Sequence, residues 1–253
     1  MNHKEFWSLI DEVNREAESW NQDSILLTTQ EKLLQLPLQE IIGFHNYLRW
    51  YMDLADTPNL VAAAVAINDG TSDDGFTDFR AWLVSQGQEV YRKALKCADS
   101  LAELDIPQES YYTQFELYGY IGSYAYEVKS LLEQKSIQEI GTNEYFELKP
   151  KGRELVEHIL KYHCAYTDPL ADSKEPAIKS LYQLVRGQLR PYNVYDAAEA
   201  NPLSDQEKKE MKAELEFEKS PGRKWNWTAA DLQKAVPELY SKYMGHAYTL
   251  GGM

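Results

Sequence analysis

Two adjacent carboxylates, a hydroxyl and a guanidinium fall within nine residues at Ser72, Asp73, Asp74 and Arg80. Such a set can bind a cation or a cationic side chain, or polarise a water for general-base chemistry. The same residues also suit a structural task. A carboxylate of Asp73 or Asp74 can cap a helix that begins near Phe76, at the positive end of its dipole, while Gly70 and Gly75 ease the turn. Arg80, about one and a half turns on, can then pair with one of the acids and fix the loop. The two roles are compatible, because a cap needs only one carboxylate.

Other groupings fail the chemistry they suggest. Read as an EF-hand from Asp69, the loop has Asp74 at the sixth position in place of Gly, and Arg80 at the twelfth in place of a bidentate Glu. His158 and His163 lie five residues apart, about 140° around a helix, which is unsuited to holding one metal from one face. His45 sits beside an apolar stripe and reads as a packed histidine. Cys97 and Cys164 have no CxxC spacing, which suits reduced thiols. There is no GxGxxG, GxxxxGK[ST], HExxH or GxSxG string, so no catalytic set, metal site or cofactor is expected. Arg223 to Trp227 mixes cations with aromatics but is too short for a nucleic-acid face. The tyrosines between Tyr111 and Tyr126 surround their helix. Those outside the core, with Tyr112 and Tyr120 as candidates, are of a type favoured at binding interfaces.

The elements that must carry these residues read as helices. Phe6, Ile10, Val13 and Ala17 keep helical spacing, in a helix expected to end near Trp20. Thr28 to Glu31 has the form of a capping box and predicts a helix start there. Pro37 predicts the first position of a helix of about 18 residues. Asn59 to Ile67 is apolar on every side, as a helix buried among others would be. Helical spacing resumes from Phe76, with Gly87 as an interruption, and a Tyr-rich helix is expected from about Ser110 to Gln134. Further helices follow around Leu155 and Leu181, and capping boxes open at Ser204 and Thr228. The fold class is therefore mostly α, a bundle-like multi-helix array, with residues 144–148 the one stretch that reads as a short strand.

The chain has 253 residues, a formal charge of -14 and 43% hydrophobic residues, enough for one large core or two smaller ones. Residues 1–150 hold 25 acidic and 11 basic side chains, whereas residues 151–253 hold 15 of each. This asymmetry argues against direct nucleic-acid binding and favours a basic protein partner. It also suggests two regions, an acidic one at 1–135 and a neutral one at 137–253. The longest apolar run, Leu60 to Ile67, is eight residues, too short to span a membrane. The N-terminus has no apolar signal core, so the expected compartment is the cytoplasm.

Phe6-Trp7, Ile10-Asp11, Leu36-Pro37, Asn68, Gly70, Ser72-Asp73-Asp74-Gly75-Phe76, Phe79-Arg80, Trp82-Leu83 and Gly87 together resemble the DUF4240 family, a bacterial domain of unknown function, over about residues 1–130. The resemblance implies a compact, mainly helical domain and carries over no activity or site residue. The expected function is a non-catalytic protein-binding protein, of the immunity type that neutralises a basic toxin domain through its acidic N-terminal region. The alternative is a hydrolase or transferase using Asp73, Asp74 and Arg80, with a divalent metal as an optional partner. A third reading is a regulatory module.

Overall fold

A computed structural model describes residues 1–107, 112–141, 151–218 and 226–245. Among them are fourteen α-helices and no strand, so the protein is a multi-helix array. The stretch expected to be extended, 144–148, lies outside the described residues. No helix among the described residues is long and apolar enough to cross a membrane.

The helices are α1 (His3–Glu16), α2 (Gln22–Leu34), α3 (Leu38–Leu54), α4 (Pro58–Asn68), α5 (Asp73–Ser85), α6 (Gln88–Lys96), α7 (Glu116–Gln134), α8 (Ile137–Gly141), α9 (Lys151–Lys161), α10 (Pro176–Leu189), α11 (Val194–Ala200), α12 (Asp205–Ala213), α13 (Ala229–Ala235) and α14 (Pro237–Leu239). Capping boxes at Ser204/Glu207 and Thr228/Asp231 open α12 and α13 as their sequences require. Gly87, with φ of 93°, takes a conformation other residues resist and separates α5 from α6.

The start of one helix and the end of another differ from expectation, and α7 begins at Glu116 rather than near Ser110. The helix containing Thr28 begins earlier, at Gln22, because the Asn21 side chain accepts from the Ser24 N–H at 3.0 Å and supplies the cap. Thr29 is thereby left mid-helix and buried, and its hydroxyl donates to the Ile25 carbonyl one turn back at 2.7 Å. The first helix stops at Glu16 rather than near Trp20, whose φ is 61°.

The chain forms two compact units, and each joins stretches from both sides of residue 137. The first comprises residues 1–46 and 120–202. Its cores include Phe6, Ile10, Leu26 and Phe44, and a cluster of Val128, Leu131, Val156, Ile159, Leu181 and Val185. The second comprises residues 47–119 and 203–253, with Tyr51, Leu60, Phe79, Trp82, Tyr91 and Tyr118 buried within it. Counted by unit, the charge is even: each holds 20 acidic and 13 basic side chains.

In the second unit the late stretch is tied to the early one by hydrogen bonds. Asp99 accepts from the Glu238 and Leu239 N–H groups at 3.0 and 2.9 Å, and Glu218 N–H donates to the Leu95 carbonyl at 2.8 Å. Lys242 Nζ donates to the carbonyls of Ala102 and Leu104 at 2.9 and 2.6 Å.

Candidate binding site

At the start of α5 the cap is the Ser72 hydroxyl, which accepts from the Gly75 N–H at 3.1 Å. The expected carboxylate cap is thus replaced by Ser72, and the helix begins at Asp73, three residues before Phe76. A Cβ on Gly75 would stand 3.1 Å from Thr71 Oγ1 and 3.4 Å from Ser72 Oγ, so the glycine leaves room for the capping turn. Asp73 and Asp74 occupy the first turn, exposed, where the helix dipole favours negative charge.

Arg80 is anchored within this unit. Its two terminal nitrogens donate to the Met52 carbonyl at 3.1 Å and to Thr77 Oγ1 at 3.0 Å, and its guanidinium lies 5.2 Å from the Phe76 ring centroid. Thr77 in turn donates to the Asp73 carbonyl at 3.0 Å. These contacts join α5 to the C-terminal part of α3 and give Arg80 a positioning task.

Asp78, one turn beyond Asp74, is the residue the sequence reading missed. Its carboxyl is pushed up from an ordinary 3.8 to about 6, first by partial burial and then by the negative charges of Glu116 and Asp74. Glu116 reaches this place because the stretch before α7 is pinned beside α5. Phe115 N–H donates to the Asp78 carbonyl at 3.3 Å, and Thr113 Oγ1 donates to Asn68 Oδ1 at 2.7 Å. The spacing Asp74/Asp78 is the one local signal that could have found it.

Tyr112 is half-buried in the second unit. Tyr120 belongs to the first, where it is 42% exposed and its ring centroid lies 6.4 Å from that of Tyr124. Asp73, Asp74 and Arg80 therefore share one helix, which Ser72 caps, while the two tyrosines fall in different units.

The first unit has its own polar centre. His163 Nε2 meets Glu127 Oε2 at 2.7 Å, and Glu127 Oε1 accepts from Ser123 Oγ at 3.2 Å. Arg186 is in close contact with His163 Nδ1, and also donates to the His163 carbonyl at 3.0 Å. Burial lowers the His163 pKa; Glu127 opposes that shift and Arg186 adds to it. A neutral imidazole fits both partners, with Nε2–H donating to Glu127 and Nδ1 accepting from Arg186, a tautomer assigned from the network. His158 pairs separately with Asp168 at 3.2 Å and stacks on Tyr162 at 4.3 Å. His45 is 2% exposed, edge-on to Tyr195 at 5.1 Å. Among the described residues, no three His, Cys, Asp or Glu side chains converge to hold a metal.

The family model described as "Protein of unknown function (DUF4240)" matches residues 1–128. The chain belongs to this family. No curated protein and no solved structure matches it. The α5 acidic face lies wholly inside the DUF4240 match, and so does Glu127, whereas His163 and Arg186 lie beyond it. The family segment thus carries the crowded carboxylates, and the later residues complete the buried polar centre.

Proposed function

We propose that this DUF4240 protein is a non-catalytic binding protein that engages a basic protein through the acidic face at the start of α5, in the manner of an immunity-type protein masking a basic toxin domain. The observation that carries this reading is Asp78, held near pH 6 by burial and by the neighbouring charges of Glu116 and Asp74. A carboxyl in that state marks a local field that an incoming lysine or arginine would relieve. Charge counts alone do not single out the place, since both units carry the same excess; local crowding does. Binding a cation there should lower the Asp78 pKa and release a proton near pH 6.

The test is capture from a source lysate at low and high salt, with mass spectrometry of the retained proteins. The captured partner is then titrated calorimetrically at pH 6 in two buffers of different ionisation heat. Proton release and loss of affinity in Asp74→Asn/Asp78→Asn are expected. A captured partner whose affinity ignores both substitutions refutes the assignment of this face.

The hydrolase or transferase reading draws support from the same residue, because a carboxyl near neutral pH suits general-base work. On that reading Asp78→Asn abolishes turnover of a substrate while leaving the protein folded.

A further inference from the structure

In the first unit His163 joins three helices. It sits on the short 3-10 turn Tyr162–Cys164 that follows α9, and its side chain is 8% exposed. From α7, Glu127 Oε2 meets Nε2 at 2.7 Å and the Tyr124 ring stands edge-on at 5.1 Å. From α10, Arg186 contacts Nδ1 and donates to the His163 carbonyl at 3.0 Å. Both of these Arg186 contacts therefore end on one residue.

An imidazole in this seat satisfies both neighbours only while it is neutral. Arg186 has N–H groups and no lone pair to offer, so Nδ1 must accept. A proton on Nδ1 turns that acceptor into a donor, sets donor against donor and brings two positive charges together. Glu127 responds in the opposite sense, because its bond from Nε2–H becomes an ion pair. Burial lowers the His163 pKa from 6.5, with Glu127 opposing and Arg186 adding, so the ring is neutral at pH 7.5 and charges in acid.

The other groups around the turn do not share this conflict. On α9, His158 pairs with Asp168 at 3.2 Å, an attraction that a proton on His158 strengthens, and Lys161 is exposed. On α2, Asp23 accepts from the Tyr166 and Thr167 N–H groups at 2.6 and 3.1 Å. Cys164 stays a neutral thiol, pushed up to about 12 by burial.

We propose that His163 and Arg186 form a proton-operated latch: at neutral pH Arg186 fastens α10 to the turn after α9, and a proton on Nδ1 releases Arg186 and loosens α10 while the imidazolium stays with Glu127. Because α10 supplies Leu181, Val185 and Leu189 to the core cluster of this unit, its loosening uncovers apolar surface in acid.

The test is hydrogen exchange of the full-length protein at pH 7.5 and pH 5, corrected for the intrinsic pH dependence of exchange, with the His163 ring nitrogens followed by NMR over the same range. Peptides from α10 should exchange roughly tenfold faster at pH 5 while those from α2 and α3 keep their protection, as a local opening requires. The change should share its midpoint with the His163 ring. Arg186→Gln leaves an amide that donates to the neutral ring or accepts from the charged one, so its α10 exchange should be equal at both pH values. Arg186→Lys keeps the charge and the donor and should keep the response. Unchanged α10 exchange in the wild type, an increase of the same size throughout the unit, a midpoint apart from that of the His163 ring, or a response that survives Arg186→Gln overturns the proposal.

Discussion

Replacing Asp78 with Asn removes a carboxyl that the fold holds in an unfavourable place, and the consequence depends on pH. In the unfolded chain the group titrates near 3.8, in the folded one at about 6. Its folded pKa is raised, so the folded state holds the proton more strongly. The favourable contribution is complete below pH 3.8 and is lost as pH rises through 6. At pH 7.5 the ionised carboxyl therefore destabilises the protein. Moving a carboxyl from 3.8 to about 6 corresponds to ~3 kcal/mol at most. Because the side chain is only half-buried, solvent screening reduces this to ~1 kcal/mol.

Asp78→Asn should accordingly raise stability by ~1 kcal/mol at pH 7.5, about 2–4 °C in Tm for a chain of this size. At pH 5, still above the sequence pI near 4.8, the gain should shrink to about half. Urea unfolding at both pH values measures it, read as a shift of midpoint at constant slope. Glu116→Gln should capture part of the same gain, and the double variant should gain less than the sum, because one repulsion is removed twice. A gain equal at both pH values, or a loss at pH 7.5, would refute the argument that burial and like charge hold Asp78 near neutrality.

Other consequences can be read by standard unfolding and exchange measurements. The lowered His163 pKa has the opposite sign: the unfolded chain binds the proton more strongly, so stability should fall as pH drops below the ordinary value of 6.5, and Glu127→Gln should cost about 1–3 kcal/mol in urea unfolding. Gly122→Ala should destabilise by about 1–3 kcal/mol in thermal unfolding, since the new Cβ meets His45 Cβ at 3.0 Å and His45 Cα at 3.2 Å. Gly187→Ala, in α10 with nothing within 4 Å, should instead stabilise by about 0.5–1 kcal/mol in the same assay. Ser72→Ala should cost roughly 1 kcal/mol and loosen amide exchange at the start of α5, whereas Asp73→Ala should cost only a few tenths.

What could be read from the sequence was what neighbouring residues decide among themselves. Ser204 with Glu207 and Thr228 with Asp231 hold their helix starts through side chain and backbone three residues apart, and each box opens its helix as expected. Thr28 to Glu31 carries the same signature and fails, because Asn21 caps first and the apolar positions Ile25 and Leu26 already belong to that helix. The Ser72 loop was legible as a helix start but not in its cap, since a hydroxyl and two carboxylates compete for the same N–H groups and only the backbone turn selects among them. The charge segregation along the chain was a true count with a different spatial outcome, because each compact unit draws on both the acidic and the neutral stretch.

The crowded carboxylates behind the proposed function, and the polar contacts inside the first unit, sit at separations local patterns do not encode: Asp78 and Glu116 are 38 residues apart in sequence, Glu127 and His163 are 36 apart, and Gln30 and Leu160 are 130 apart. The last two pairs join the DUF4240 segment to residues beyond it, so the family segment alone should not reproduce the fold. Cutting the chain after residue 136 would leave Val128 and Leu131 without Val156, Ile159, Leu181 and Val185, and Gln30 without the carbonyls it satisfies. Burying apolar surface is the dominant favourable term in folding, and losing one side of a core removes it at several positions together. Residues 1–136 expressed alone should therefore show exposed apolar surface by dye binding and no cooperative unfolding transition. A sharp transition in that fragment would show that the core of the first unit closes without its second half.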